Sequence, residues 1–348
     1  MRTPLKTPEA LIDAGLVAPE RKPGLDRVAA SYAIAVTPHL ANLIDPDAAD
    51  DPIGLQFLPD VRELDILPGE SADPIGDAAH SPVEGIVHRY PDRVLLKVTH
   101  ACAVYCRFCF RREMVGPGKA PGLAGHGLEA ALAYIAARPE IWEVILTGGD
   151  PLVLSARRLR QISERLRDIP HVKVLRLHTR LPVAAPERIT PAVISALKAS
   201  KKAVYVAVHA NHAREFTEEA RAACARLADA GLPLLGQTVL LKGVNDRPEV
   251  LGALFRAMVE TRIRPYYLHH PDLAPGTAHF RPSLAQGQAL MRALRGDYSG
   301  LCQPTYVLDI PGGAGKAPVG PNHLSAAEEK VMVEDPWGGL HPYPPPED

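Results

Sequence analysis

Hydrophobic and polar positions change their spacing near residue 85. Before it, short helical patterns at Pro8 to Ala14 and Leu25 to Ala35 are broken by Pro- and Asp-rich turns at Asp45 to Pro52 and Pro68 to Pro74. Beyond His88, short β-rich runs alternate with amphipathic helices. The runs predict strands at Arg93 to Thr99, Glu143 to Thr147, Val172 to His178, Ala203 to Val208, Pro233 to Leu240 and Arg264 to Leu268. Helices are predicted at Leu128 to Ala137, Ser155 to Arg167, Pro191 to Ala199, Thr217 to Ala230, Pro248 to Thr261 and Ser283 to Leu294. In the first of these, Leu128, Ala131, Leu132 and Ile135 recur at i, i+3, i+4 and i+7 and form one buried stripe. A last β-like run, Thr305 to Asp309, precedes the glycine-rich Pro311 to Pro318. The polar tail after it, ending in Pro344, Pro345 and Pro346, is expected to be loosely ordered.

Regular βα alternation predicts an α/β fold around a parallel sheet. Six units are fewer than the eight of a closed barrel, so the expected architecture is a partial, TIM-like (β/α)6 barrel with its site at the carboxyl ends of the strands. An open doubly wound sheet is the alternative, but the first turn lacks G-x-G-x-x-G. The expected division is a mainly helical segment over 1–84, the barrel over 85–300 and a C-terminal extension over 301–348.

Charge narrows the partners. With 39 basic and 40 acidic residues and no block of one sign, the chain has no footprint for nucleic acid or an anionic membrane. Met1 to Leu16 is too polar for a signal peptide, and no run approaches the roughly 18 apolar residues of a membrane helix. A cytoplasmic protein is expected. Its five cysteines are odd in number, and Cys102, Cys106 and Cys109 crowd into one short window, which in a reducing compartment points to metal binding.

That window reads Thr99-His100-Ala101-Cys102-Ala103-Val104-Tyr105-Cys106-Arg107-Phe108-Cys109, a C-x3-C-x2-C pattern on the loop after the first predicted strand. Three thiolates on a four-iron, four-sulfur (4Fe-4S) cluster leave one iron open, as S-adenosylmethionine requires to chelate it. A zinc site is the rival, although zinc favours paired C-x2-C spacings with a fourth ligand nearby. Gly148-Gly149-Asp150-Pro151 follows the second strand, either as a ligand-contacting turn or as a tight connection in which Asp150 caps the next helix.

A second cofactor is suggested by Asp309-Ile310-Pro311-Gly312-Gly313-Ala314-Gly315-Lys316. One lysine after three glycines lets an amine approach a flat ring, as pyridoxal phosphate needs for its Schiff base. Arg89 and Arg93 in HRYPDR offer guanidiniums for a phosphate. From spacing alone, Lys316 also reads as a solvated loop lysine, Asp272 as a turn residue and Asp309 as a strand-end cap.

Taken in order, HRYPDR, THACAVYCRFCFRR, LTGGDP, GQTVLLKGVND, HHPDLAPGTAHFR and LDIPGGAGKAPV resemble the lysine 2,3-aminomutase family of the radical S-adenosylmethionine superfamily, over roughly residues 85 to 320. The resemblance implies an isomerase that moves the α-amino group of lysine to Cβ. It implies that Cys102, Cys106 and Cys109 hold the cluster, that Gly148, Gly149 and Asp150 touch S-adenosylmethionine, and that Lys316 carries pyridoxal 5'-phosphate with Arg89 and Arg93 at the phosphate. Arg111 then takes the substrate carboxylate, Asp272 and Asp309 take the ε-ammonium, and His209, Asn211, His212 and Gln237 line the cofactor pocket. A reducing electron donor and a homo-oligomer are expected with it. The tail carries no cysteine after Cys302, unlike family members that bind zinc there. Its shortness resembles the subgroup that supplies the β-lysyl group of elongation factor P. Cys224 and Cys302 read as buried thiols.

Overall fold

A computed structural model describes residues 3–115, 122, 123, 125–327 and 330–344. The main sheet has nine strands in the order of the sequence: β1 Ile86–Tyr90, β2 Arg93–Thr99, β3 Glu143–Gly148, β4 Val174–Thr179, β5 Ala203–His209, β6 Leu234–Val239, β7 Ile263–His269, β8 Thr305–Ile310 and β9 Gly315–Pro318. Neighbours from β2 to β8 run parallel. The six predicted strands are β2 to β7, and the run at 305–309 is a seventh parallel strand. Helices His126–Ala136, Ala156–Arg167, Pro191–Lys198, Glu218–Asp229, Pro248–Glu260 and Leu284–Asp297 supply the intervening layer. Ser155, Thr190, Thr217 and Ser283 cap four of them with a side-chain oxygen, so these starts are locally encoded.

Two hairpins end the sheet. HRYPDR, expected to precede the first strand, is itself the turn of an antiparallel pair β1–β2, and the glycine-rich segment turns β8 back into antiparallel β9. The outer strands β1 and β9 are not ladder partners, so the barrel stays open, but the Lys316 amide donates to Tyr90 Oη at 2.7 Å across the seam. The main core lies between the sheet and its helices. A second core, built from Leu11, Leu25, Leu40, Ile53 and Phe57, includes Val104 of the cysteine loop, so the N-terminal segment is packed against the site.

The tail corrects the expectation of loose order. β10 Leu324–Ala327, β11 Lys330–Glu334 and β12 Leu340–Tyr343 form an antiparallel sheet, tied to the last helix where Arg292 Nε donates to Glu334 Oε2 at 3.2 Å. Composition hid the β-forming Val331-Met332-Val333 among polar and proline residues. Pro345 and Pro346 lie outside the described residues.

Candidate active site

Strands buried on both faces send alternate side chains into the barrel. Glu143, Ile145 and Thr147 of β3, Arg176, His178 and Arg180 at β4, Thr305, Val307 and Asp309 of β8, and Lys316 of β9 thereby line one cavity of about 770 Å³. Cys102, Cys106, Cys109, Arg111, Arg89, Arg93, Gly148, Gly149, Asp150, His209, Gln237 and Asp272 line it too. Asn211 and His212 do not. Asn211 is buried on Gln56 and the Val239 amide, and His212 caps a short turn by accepting from the Arg214 amide.

The Lys316 end is built by the β8–β9 hairpin. Asp309 and Lys316 are cross-strand partners, and their side chains form an ion pair. Gly312 and Gly313, both at positive φ, make the turn that sets this register. His269 Nδ1 lies 3.5 Å from Lys316 Nζ and 3.8 Å from Asp309. Burial works to raise the Asp309 pKa, but His269 and the Lys316 ammonium outweigh it and hold the carboxyl far below the usual range. Asp272 behaves oppositely. Burial, reinforced by the charge of Asp309, pushes it up to about 7, and its Oδ1 is buried without a hydrogen-bond partner. His178 Nε2, His209 Nε2 and Gln237 Oε1 are likewise buried and unpartnered, so this wall presents several unsatisfied polar atoms to whatever fills the cavity.

The arginines are held from outside the barrel by a residue that sequence reasoning missed. Asp77 accepts from Arg111 Nη2 at 2.8 Å and from Arg89 at 3.3 Å, while Arg89 also donates to the Ile75 carbonyl. Arg93 pairs with Asp92 and lies 3.8 Å over the Tyr90 ring. At the other end, the Gly148–Gly149 turn is pressed against the cysteine loop: a Cβ at Gly149 would stand 2.2 Å from the Ala101 carbonyl oxygen. The Asp150 carboxylate accepts from Thr179 Oγ1 and the amides of Arg180 and Leu152, so it caps the short turn that follows while standing on the cavity lining.

The cysteine loop leans on the N-terminal segment. Buried Glu63 accepts from both Arg107 and Arg112, the Arg107 amide donates to Gln56 O at 2.9 Å, and the Tyr105 amide donates to Ala35 O at 2.9 Å. Tyr267, near Lys316, and the inward His178 and His269 were also overlooked. The available signal was a polar residue at an inward position of a strand otherwise buried on both faces.

The residues suit the expected groups. Three half-buried thiols share one cavity wall. At the Lys316 end, an amine, the guanidiniums of Arg89 and Arg93 and the Tyr90 and Tyr267 phenols meet the needs of a phosphorylated aromatic aldehyde.

Comparison with known proteins identifies the family. Residues 96–253 match the Radical SAM superfamily and residues 291–348 match the family described as lysine-2,3-aminomutase. The L-lysine 2,3-aminomutase of Acetoanaerobium sticklandii is 41% identical over 348 residues, covering 100% of this chain and 84% of that protein. That of Clostridium subterminale is 40% identical over 347 residues, covering 99% and 83%. A glutamate 2,3-aminomutase of Clostridioides difficile is 38% identical over 321 residues, covering 92% and 75%. The Radical SAM family uses a 4Fe-4S cluster and S-adenosylmethionine, and lysine 2,3-aminomutases also use pyridoxal phosphate. Likeness over the full chain, joined to a barrel that brings the cysteine triplet and Lys316 into one cavity, makes this chain a member of the lysine 2,3-aminomutase family of radical S-adenosylmethionine isomerases.

Proposed function

We propose that the chain converts lysine to β-lysine in a pyridoxal phosphate-dependent reaction, with Cys102, Cys106 and Cys109 on the cluster and Lys316 tethering the aldehyde. The observation that carries this reading is the charge pattern of the shared cavity: two carboxylates, Asp272 and Asp309, near Lys316 and a guanidinium, Arg111, on the wall that carries the cysteines. When bound, the cluster with S-adenosylmethionine supplies a carbon radical, and pyridoxal phosphate supplies a π-system for the migrating amine. Arg111 would hold the α-carboxylate, with Asp77 fixing its orientation. Asp272 and Asp309 would hold the ε-ammonium. Gly148, Gly149 and Asp150 would set the S-adenosylmethionine side of the cavity, with His209 and Gln237 on its wall and Arg89 and Arg93 toward the phosphate. On this reading residues 1–84 brace the cysteine loop, the barrel starts at 85 and continues past 300 through β8 and β9, and the segment from 301 supplies those two strands and delivers Lys316.

A glutamate substrate is disfavoured because a second side-chain carboxylate would face Asp272 and Asp309, and like charges in a buried site are costly. The test is anaerobic incubation with reductant, S-adenosylmethionine, pyridoxal phosphate and lysine, following β-lysine. Parallel arms contain glutamate, arginine and elongation factor P. Turnover of free lysine supports the reading. Product only with the elongation factor assigns the chain to modification of that protein, and β-glutamate without β-lysine overturns the substrate assignment.

A further inference from the structure

Among the described residues, Arg180 is the side chain whose guanidinium reaches a thiol of the triplet: its Nη1 lies 3.7 Å from Cys106 Sγ. It stands at the carboxyl end of β4, and its position is over-determined. Nη2 donates to Glu215 Oε2 and to Gln56 Oε1, each at 2.6 Å, and the backbone amide donates to Asp150 at 2.8 Å. The guanidinium also lies 4.8 Å from the ring centre of Phe57 and 5.5 Å from that of Phe108. Glu215 is completely buried and held in turn, its Oε1 accepting the amides of Asn211 and His212 at 2.8 and 3.0 Å. A fixed positive charge with a fixed counter-charge behind it therefore touches one sulfur.

We propose that Arg180 raises the reduction potential of the iron-sulfur cluster through Cys106 and that Glu215 limits this effect. The inference rests on the reading that the three cysteines hold the cluster. Reduction adds one electron, taken from an external reductant, and so one negative charge to the cluster. An N–H donor and a cation at a ligating sulfur stabilise that charge, whereas a nearby carboxylate opposes it, and cluster potentials respond to both. Water-poor surroundings leave such interactions weakly screened.

Arg180 also ties the N-terminal segment to the barrel, so the test must separate tuning from scaffolding. Wild type, Arg180→Gln, Arg180→Lys and Glu215→Gln are reconstituted anaerobically. Iron and sulfide are counted, and the midpoint potential is measured by redox titration followed by electron paramagnetic resonance. The potential is expected to move negative in Arg180→Gln, less so in Arg180→Lys, and positive in Glu215→Gln, with cluster content unchanged. Shifts of one sign in both Arg180→Gln and Glu215→Gln, or no shift in a fully loaded Arg180→Gln, overturn the proposal. Should Arg180→Gln take up no iron, an unchanged potential in Glu215→Gln overturns it. A wild-type chain without a reducible cluster overturns the reading of the cysteines, and this inference with it.

Discussion

If Asp272 holds the ε-ammonium as proposed, its ionisation makes lysine binding depend on pH. Burial, helped by neighbouring Asp309, sets its carboxyl near 7, so it gains a proton as the pH falls through neutrality. A bound ammonium needs the ionised form. The KM for lysine is therefore expected to climb below about pH 7, by up to about tenfold per pH unit, and to level off above it. Asp272→Asn should raise KM about ten- to a hundredfold, the value of a charge-assisted hydrogen bond of ~1.5–3 kcal/mol, and should flatten that profile. Steady-state kinetics across neutral pH check both; a variant that keeps the wild-type slope would remove Asp272 from the ammonium site. Asp309 is held far below the usual carboxylate range by His269 and Lys316, so it contributes no slope in the same window.

The cysteine loop is an element held from two sides, and each side makes a prediction. Glu63 joins Arg107 and Arg112 in a buried ionic triad. Removing one partner of such a set strands the other charges, so Glu63→Ala is expected to cost about 3–5 kcal/mol and to lower both the melting temperature and the iron bound per chain. On the opposite side, Gly149→Ala places a methyl against the Ala101 carbonyl. Overpacking of that kind costs about 1–3 kcal/mol, and because the clash falls on the cysteine loop, cluster loading should drop more than overall stability. Thermal unfolding with iron analysis distinguishes the two variants. The strands and helices that support this loop were read from hydrophobic period and capping residues to within a few positions. The triad was not, because Glu63 lies on a short turn in a proline-rich stretch with no periodic signal.

At the scale of the whole molecule, function depends on bringing the two ends of an open sheet together. Tyr90 on β1 accepts the Lys316 amide of β9, so Tyr90→Phe should cost about 1 kcal/mol at the seam and weaken pyridoxal phosphate binding roughly fivefold, measurable by absorbance titration. The chain by itself determined the alternating βα order, the C-x3-C-x2-C loop at a strand end and the Asp309 to Lys316 segment, because each is written in consecutive residues. Folding alone decided which distant groups meet. Glu63 finds Arg112 across 49 positions, Arg180 finds Gln56 across 124, and Tyr90 finds Lys316 across 226. Period and spacing carry information over a few turns of chain, whereas the pairing of buried charges depends on which faces pack together, and that is settled only when the barrel and its N-terminal buttress are in place.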